Sequence, residues 1–141
     1  MANRTGLVRL TVLLLCMVAL GAGCGAGTEQ PDLNGTSWRL TSWAEPDPIP
    51  ASATITAEFA EDRVSGSAGI NRYNAAVDAG SDGSFSIDQP VTTKMAGAED
   101  ATAAEMAYLK RLQAATSYRI EGDTLVINDA DGQSSLTFTR A

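Results

Sequence analysis

The chain has 141 residues, a formal net charge of −7 and no histidine. That length suits one domain, and the acidic balance argues against nucleic acid, which needs basic patches to neutralise phosphates. Without imidazole the chain lacks the commonest general base, the usual zinc ligand and the standard Ser-His-Asp triad.

Arg4 and Arg9 flank a basic start, Leu10 to Leu20 is almost wholly apolar, and Gly21-Ala22-Gly23 leads into Cys24. This is the layout of a secretory signal, with basic, apolar and small-residue regions in order. The apolar run is shorter than the ~20 residues that span a bilayer. A cysteine behind small residues resembles a bacterial lipobox, which would make Cys24 an acylated first residue of the mature protein. The expected organisation is a signal peptide over 1–23, a small polar tether over 24–32 and one domain over 33–141. The expected location is extracytoplasmic, lipid-anchored to the cell membrane. Losing residues 1–23 removes Arg4 and Arg9 and no acid, taking the charge from −7 to −9. Cys16 goes with the signal, so no thiol pair remains for a disulfide.

Within the domain, Ser37 to Trp43 alternates as a strand, with Trp38, Leu40 and Ser42 on one face and Arg39, Thr41 and Trp43 on the other. Pro46, Pro48 and Pro50 make Ala44 to Ala53 a loop. Ala53 to Ala60 reads as a second strand with Ile55, Ala57 and Phe59 inward, Arg63 to Ala68 as a third, and Asn71 to Asp78 as a fourth with Tyr73 and Val77 inward. Phe85 and Ile87 mark a fifth, and Thr92 to Met95 a short extended piece. The spacing predicts one helix near 102–114. Thr102 and Glu105 fit a capping box, Met106, Leu109 and Leu112 form an apolar stripe with Tyr108 beside it, and Lys110 and Arg111 sit where the helix dipole favours cations. Three strands follow at Ser117–Glu121, Thr124–Asn128 and Ser134–Thr139, joined by Gly-Asp and Asp-Gly turns. The expected fold class is α+β, a mainly antiparallel sheet of about eight short strands with one helix.

Gly66-Ser67-Ala68-Gly69-Ile70-Asn71-Arg72-Tyr73 is glycine-rich, but it lacks the lysine and following helix of a phosphate loop. It reads as a bend between strands. Gly66 and Gly69 allow positive φ or close backbone approach, and the Asn71 amide can bond a neighbouring backbone group. Asn71, Arg72 and Tyr73 are candidate binding residues, as is Trp43 beside the proline loop. Asp129, Asp131 and Gly132 suit a hairpin turn rather than a calcium loop, because Ile127 and Phe138 stand where ligands are required. Glu58, Glu61 and Asp62 are solvated charges at a turn.

Leu33-Asn34-Gly35-Thr36-Ser37-Trp38-Arg39-Leu40 resembles the opening of META domains. Gly66 to Tyr73 is similar to that family's central signature, and Thr92-Thr93-Lys94-Met95-Ala96 to its later T-x-M-A stretch. The helix with Glu105, Tyr108, Leu109 and Leu112, then Tyr118, Leu125 and Phe138, follows the family order over about 33–139. The family includes the HslJ-type heat-shock lipoproteins of bacterial envelopes. The resemblance implies a compact α+β domain, often lipid-anchored and linked in some members to stress or antibiotic tolerance, without a known enzymatic activity. Many members carry cysteines where this chain has Ile70 and Gly97, which implies that apolar packing at Ile70 replaces any disulfide there.

The expectation is therefore a non-enzymatic, lipid-anchored envelope domain that binds a protein or serves envelope stress tolerance. The alternative is a secreted inhibitor of a lysozyme or protease acting through residues 44–52 or 66–73, since an acidic domain suits a basic target. No catalytic residue, metal or cofactor is expected. The partners expected are the membrane, through lipid on Cys24, and an envelope protein, with the domain itself a monomer.

Overall fold

A computed structural model describes residues 27–44 and 48–141. The signal segment, Cys24 and the Glu45–Asp47 part of the proline loop lie outside the described residues. The elements run β1 (Thr36–Trp43), β2 (Thr56–Ala60), β3 (Arg63–Ser67), β4 (Arg72–Ala79), β5 (Phe85–Ile87), β6 (Val91–Thr92), α1 (Glu99–Gln113), β7 (Ser117–Glu121), β8 (Thr124–Asn128) and β9 (Ser134–Arg140). Every strand pairing is antiparallel.

The sheet order is β5-β4-β3-β2-β1-β9-β8-β7, with β6 added to β4. The two ends of this path meet. Ser84 bridges Ser117, the Phe85 amide donates to the Thr116 carbonyl (3.0 Å), and the Tyr118 amide donates to the Gly83 carbonyl (2.8 Å). The sheet thereby curls into a nearly closed barrel, which removes most of its free edge. Inward residues are those the alternation predicts: Ile55, Ala57 and Phe59 from β2, Tyr73 from β4, Leu125 and Ile127 from β8, and Leu136 and Phe138 from β9 are all buried. Edge-to-face aromatic contacts link the staves, with Phe59–Phe85 centroids at 6.3 Å and Phe85–Tyr118 at 6.2 Å.

The barrel is plugged at both ends. At one, α1 buries Tyr108 and Leu112. At the other, Leu33 is buried just ahead of β1. Gln30 and Pro31, just before Leu33, are docked as well. The Gln30 amide donates to the Ser81 carbonyl (2.7 Å), the Gln30 side chain accepts from the Ile120 amide (3.0 Å), and the Tyr118 hydroxyl donates to the Pro31 carbonyl (3.1 Å).

Three local expectations change. First, α1 starts three residues earlier, at Glu99, with Ala98 as an N-cap that makes no side-chain bond. Thr102 is inside the helix, its hydroxyl donating to the Ala98 carbonyl (3.0 Å), and Glu105 turns inward, so there is no capping box. Second, Met106 is 68% exposed. Residues 106 and 112 are six apart, about 120° around a helix at 100° per residue, so both cannot face the core. Glu105, Tyr108 and Leu112 do. Third, β1 carries a bulge: Leu40 pairs with Phe138 but Ser42 with Thr137, leaving Thr41 as the extra residue. The bulge resets the alternation. Trp43 pairs with Leu136, packs against the core and lies on the same face as Trp38, not the opposite one.

Candidate functional site

The glycine-rich stretch forms the bend expected, by two devices. Gly69 has φ +118°, a region that L side chains rarely adopt. Gly66 has ordinary backbone but no room: a Cβ there would lie 2.2 Å from the Thr56 carbonyl oxygen. That close approach lets the carbonyl accept from the Tyr73 hydroxyl (2.9 Å). With its proton given to Thr56, the Tyr73 oxygen accepts from the Tyr108 hydroxyl (2.7 Å). Burial pushes both phenols well above the ordinary tyrosine value, Tyr73 further than its bond to Tyr108 can offset.

Asn71 is buried, and its side chain works at long range rather than on its own bend. Its Nδ2 donates to Glu105 Oε1 (2.9 Å) and to the Met95 carbonyl (3.3 Å). Its Oδ1 accepts from the Met95 amide (2.7 Å) and the Thr93 hydroxyl (2.9 Å). Its backbone amide donates to Glu105 Oε2 (2.7 Å). All four side-chain hydrogen-bonding positions are used. One residue thus joins the bend, the segment after β6 and helix α1. Arg72 points the other way and is exposed, with its amide donating to Thr93 Oγ1 (3.1 Å). The structure therefore buries Asn71 with Glu105 and Tyr73 with Tyr108 in two neighbouring hydrogen-bonded sets, reaching the half-buried Thr56 and the exposed Thr93 at their margins, and leaves Arg72 outside both.

Trp43 sits apart, on a flank of α1. The Arg111 guanidinium lies over its ring at 5.0 Å and donates to the Ala44 carbonyl (3.0 Å). Beside it is an apolar groove of about 440 Å³ lined by Trp43, Pro48, Pro50, Asp100, Ala103, Ala104 and Ala107. Among the described residues Asp100 is its one charged wall. Sequence reasoning missed Glu105 and Thr93 as partners of Asn71. The available signal was that Glu105 shares a face with Tyr108 and Leu112, at spacings of three and seven.

The remaining motifs are turns. Glu61 and Asp62 take φ of 52° and 57° between β2 and β3, and both are exposed. Asp129 Oδ1 accepts from the Asp131 and Gln133 amides (both 3.0 Å), which closes the β8–β9 hairpin. At the Asp82 turn, bonds from the Ser84 hydroxyl and amide hold the carboxyl below its ordinary value.

Ile70 and Gly97 meet in space. A Cβ on Gly97 would lie 2.1 Å from Ile70 Cδ1, so the isoleucine side chain fills the volume that a side chain at 97 would take.

A family model for the META domain matches residues 31–141. No curated protein sequence matches the chain. Among solved structures, an NMR structure of a protein from Burkholderia xenovorans is similar with a TM-score of 0.64 and 26% identity, over 77% of this chain and 83% of that one. A second NMR structure has the same fold with a TM-score of 0.58 and 16% identity, over 76% and 90%. With the family model covering the whole barrel, its helix and its signature stretch, the chain belongs to the META domain family.

Proposed function

We propose that this is a non-enzymatic, lipid-anchored domain of the cell envelope that binds a protein through the Trp43 groove and serves envelope stress tolerance. The groove itself is the observation that supports this: an apolar concavity with a half-buried tryptophan on its wall is where association gains most from excluding water. The signature residues offer less to a ligand, because Asn71, Glu105, Tyr73 and Tyr108 are bonded to one another. A partner with a basic, apolar segment would complement Asp100 and the acidic charge of the mature chain. With no histidine in the sequence, a hydroxyl nucleophile has no imidazole to activate it. The basic, apolar and small-residue order of residues 1–24 supports acylation at Cys24, where two chains hold a protein far better than one.

Two experiments test this. Cys24→Ala should move the protein from the membrane to the soluble fraction and abolish acyl labelling; unchanged membrane association removes the anchor. A photo-crosslinking residue at Ala103 in the full chain should capture a protein in cells, and Trp43→Ala should lose the adduct while still melting cooperatively at a lower temperature. No adduct removes the groove reading. The acidic surface also favours the alternative of an inhibitor, and one-to-one inhibition of a lysozyme by the purified protein would select it.

A further inference from the structure

We infer that the chain holds its barrel in one orientation on the membrane, with the Leu33 end facing the lipid and the Trp43 groove facing away from it. This rests on Cys24 as the acylated residue, and it deepens the proposed function by fixing where the partner stands. The argument is one of chain length. Among the described residues Gln30 is the first bonded to the barrel, through the Ser81 carbonyl and the Ile120 amide. From Cys24 to Gln30 there are only six residue steps, a reach of at most ~20 Å even fully extended. A tether that short would have to be pulled almost straight to lift the Leu33 end a barrel's height off the lipid, so it holds that end toward the bilayer.

The two ends are clearly distinguished by β1. It leaves the buried Leu33 at Thr36 and runs eight residues to Trp43, about 25 Å of strand. Glu29, Asp32, Asp62 and Asp82 are exposed around the tethered end, so that end stands off an anionic lipid surface rather than inserting into it. Trp43, Asp100 and the flank of α1 are at the opposite end. The groove therefore meets a protein on the far side from the bilayer, a soluble or wall-side envelope protein with a basic, apolar segment, and not a lipid or a membrane-embedded helix.

The test uses the acylated protein in phosphatidylcholine vesicles carrying rhodamine-labelled phosphatidylethanolamine. A donor dye is placed at Ser81→Cys in one sample and at Lys110→Cys in another, with flotation and circular dichroism on both. Energy transfer to the lipid should be greater from position 81, roughly twofold or more for a height difference of ~20 Å along the tilted strands. Inserting about ten Gly and Ser residues after Thr28 should shrink the difference, because a flexible linker that long no longer orients the barrel. Equal transfer from the two positions in floated, folded protein overturns the orientation and leaves the anchor standing. Greater transfer from position 110 reverses it. Protein that does not float overturns the anchor and the orientation together.

Discussion

Glu105 holds Asn71 with both carboxylate oxygens at once, Oε2 on the backbone amide at 2.7 Å and Oε1 on the side-chain amide at 2.9 Å. The two residues are 34 apart in the chain, so this grip closes a long loop between the β3–β4 bend and the helix. Asn71→Ala should cost roughly 3 kcal/mol, because it strips a buried carboxylate of one donor and unpairs Thr93 and Met95. That is more than a lost turn bond alone. Urea melts should show it, and Glu105→Ala in the same background should then cost less than it does alone, since the pair acts together. Equal costs in the two backgrounds would mean the residues are independent.

The tyrosine pair makes stability depend on alkaline pH. Burial raises both Tyr73 and Tyr108 above the ordinary value of 10, and Tyr118 is raised too, first by burial and then by the charges of Asp32 and Asp82. A folded-state value above the unfolded one gives stability that is fully present below pH ~10 and drains away as pH rises from there through the folded-state values. The slope is about 1.4 kcal/mol per pH unit for each group that stays protonated only when folded. Chemical denaturation between neutral pH and the alkaline range should show a falling midpoint. Tyr73→Phe should reduce the slope while costing about 1–2 kcal/mol at neutral pH, because the Thr56 carbonyl and the Tyr108 hydroxyl lose their partner.

The two signature glycines should fail differently. Gly66→Ala places a Cβ 2.2 Å from the Thr56 carbonyl oxygen. Backbone must move, and overpacking of this kind costs ~1–3 kcal/mol or more. Gly69→Ala has open space, with Ala53 Cβ at 3.9 Å, and meets only its φ of +118°, a conformational cost of ~1–3 kcal/mol. Thr56→Ser keeps the carbonyl and so should not rescue Gly66→Ala. A Gly66→Ala protein as stable as wild type would show that β2 and β3 are not packed as closely as described.

Much of the barrel is legible because each strand buries one face. The alternation of Ile55, Ala57 and Phe59, or of Leu136 and Phe138, is a direct image of the wall they line. Closure of the sheet is not legible, since the Ser84–Ser117 bridge joins strands that no local pattern relates. The face of Trp43 is not legible either, because a bulge at Thr41 shifts parity without changing composition. The role of Glu105 is hidden because Thr102-x-x-Glu105 satisfies a local capping pattern, while its real partner is 34 residues away. Where a side chain's role is set by a distant backbone amide, spacing along the chain carries little of it.

Gly97 and Ile70 should show strong coupling. Gly97→Val would drive a side chain into Ile70 Cδ1, which lies 2.1 Å from the position of its Cβ. The clash is with the end of a flexible side chain, so the expected cost is about 1–2 kcal/mol, within the overpacking range. Ile70 is half-buried, so Ile70→Ala alone should cost about 1 kcal/mol, below the range for a fully buried isoleucine. The double variant should be more stable than the sum of the two predicts, by roughly 1 kcal/mol. Melting of the mature protein should be the same with and without reductant, as the domain after Cys24 contains no cysteine.

The bulge at Thr41 is the feature that gives Trp43 its place, and it can be removed. Trp43 pairs with Leu136 only because Leu40 and Ser42 flank an extra residue opposite Phe138 and Thr137. Deleting Thr41 should restore strict alternation and turn either Trp43 or the start of β1 to the wrong face, since a one-residue slip inverts every side chain. The start holds Trp38, fully buried and bonded through Nε1 to Thr36 Oγ1 at 2.7 Å, so the Trp43 end is the one that yields. With Trp38 kept, fully buried and so shielded from acrylamide, the quenchable share of tryptophan fluorescence should rise as Trp43 opens to solvent and loses its contact with Arg111. The same deletion should abolish crosslinking from Ala103 while the barrel still melts cooperatively. Unchanged quenching would mean that Trp43 reaches the core by a route other than the bulge.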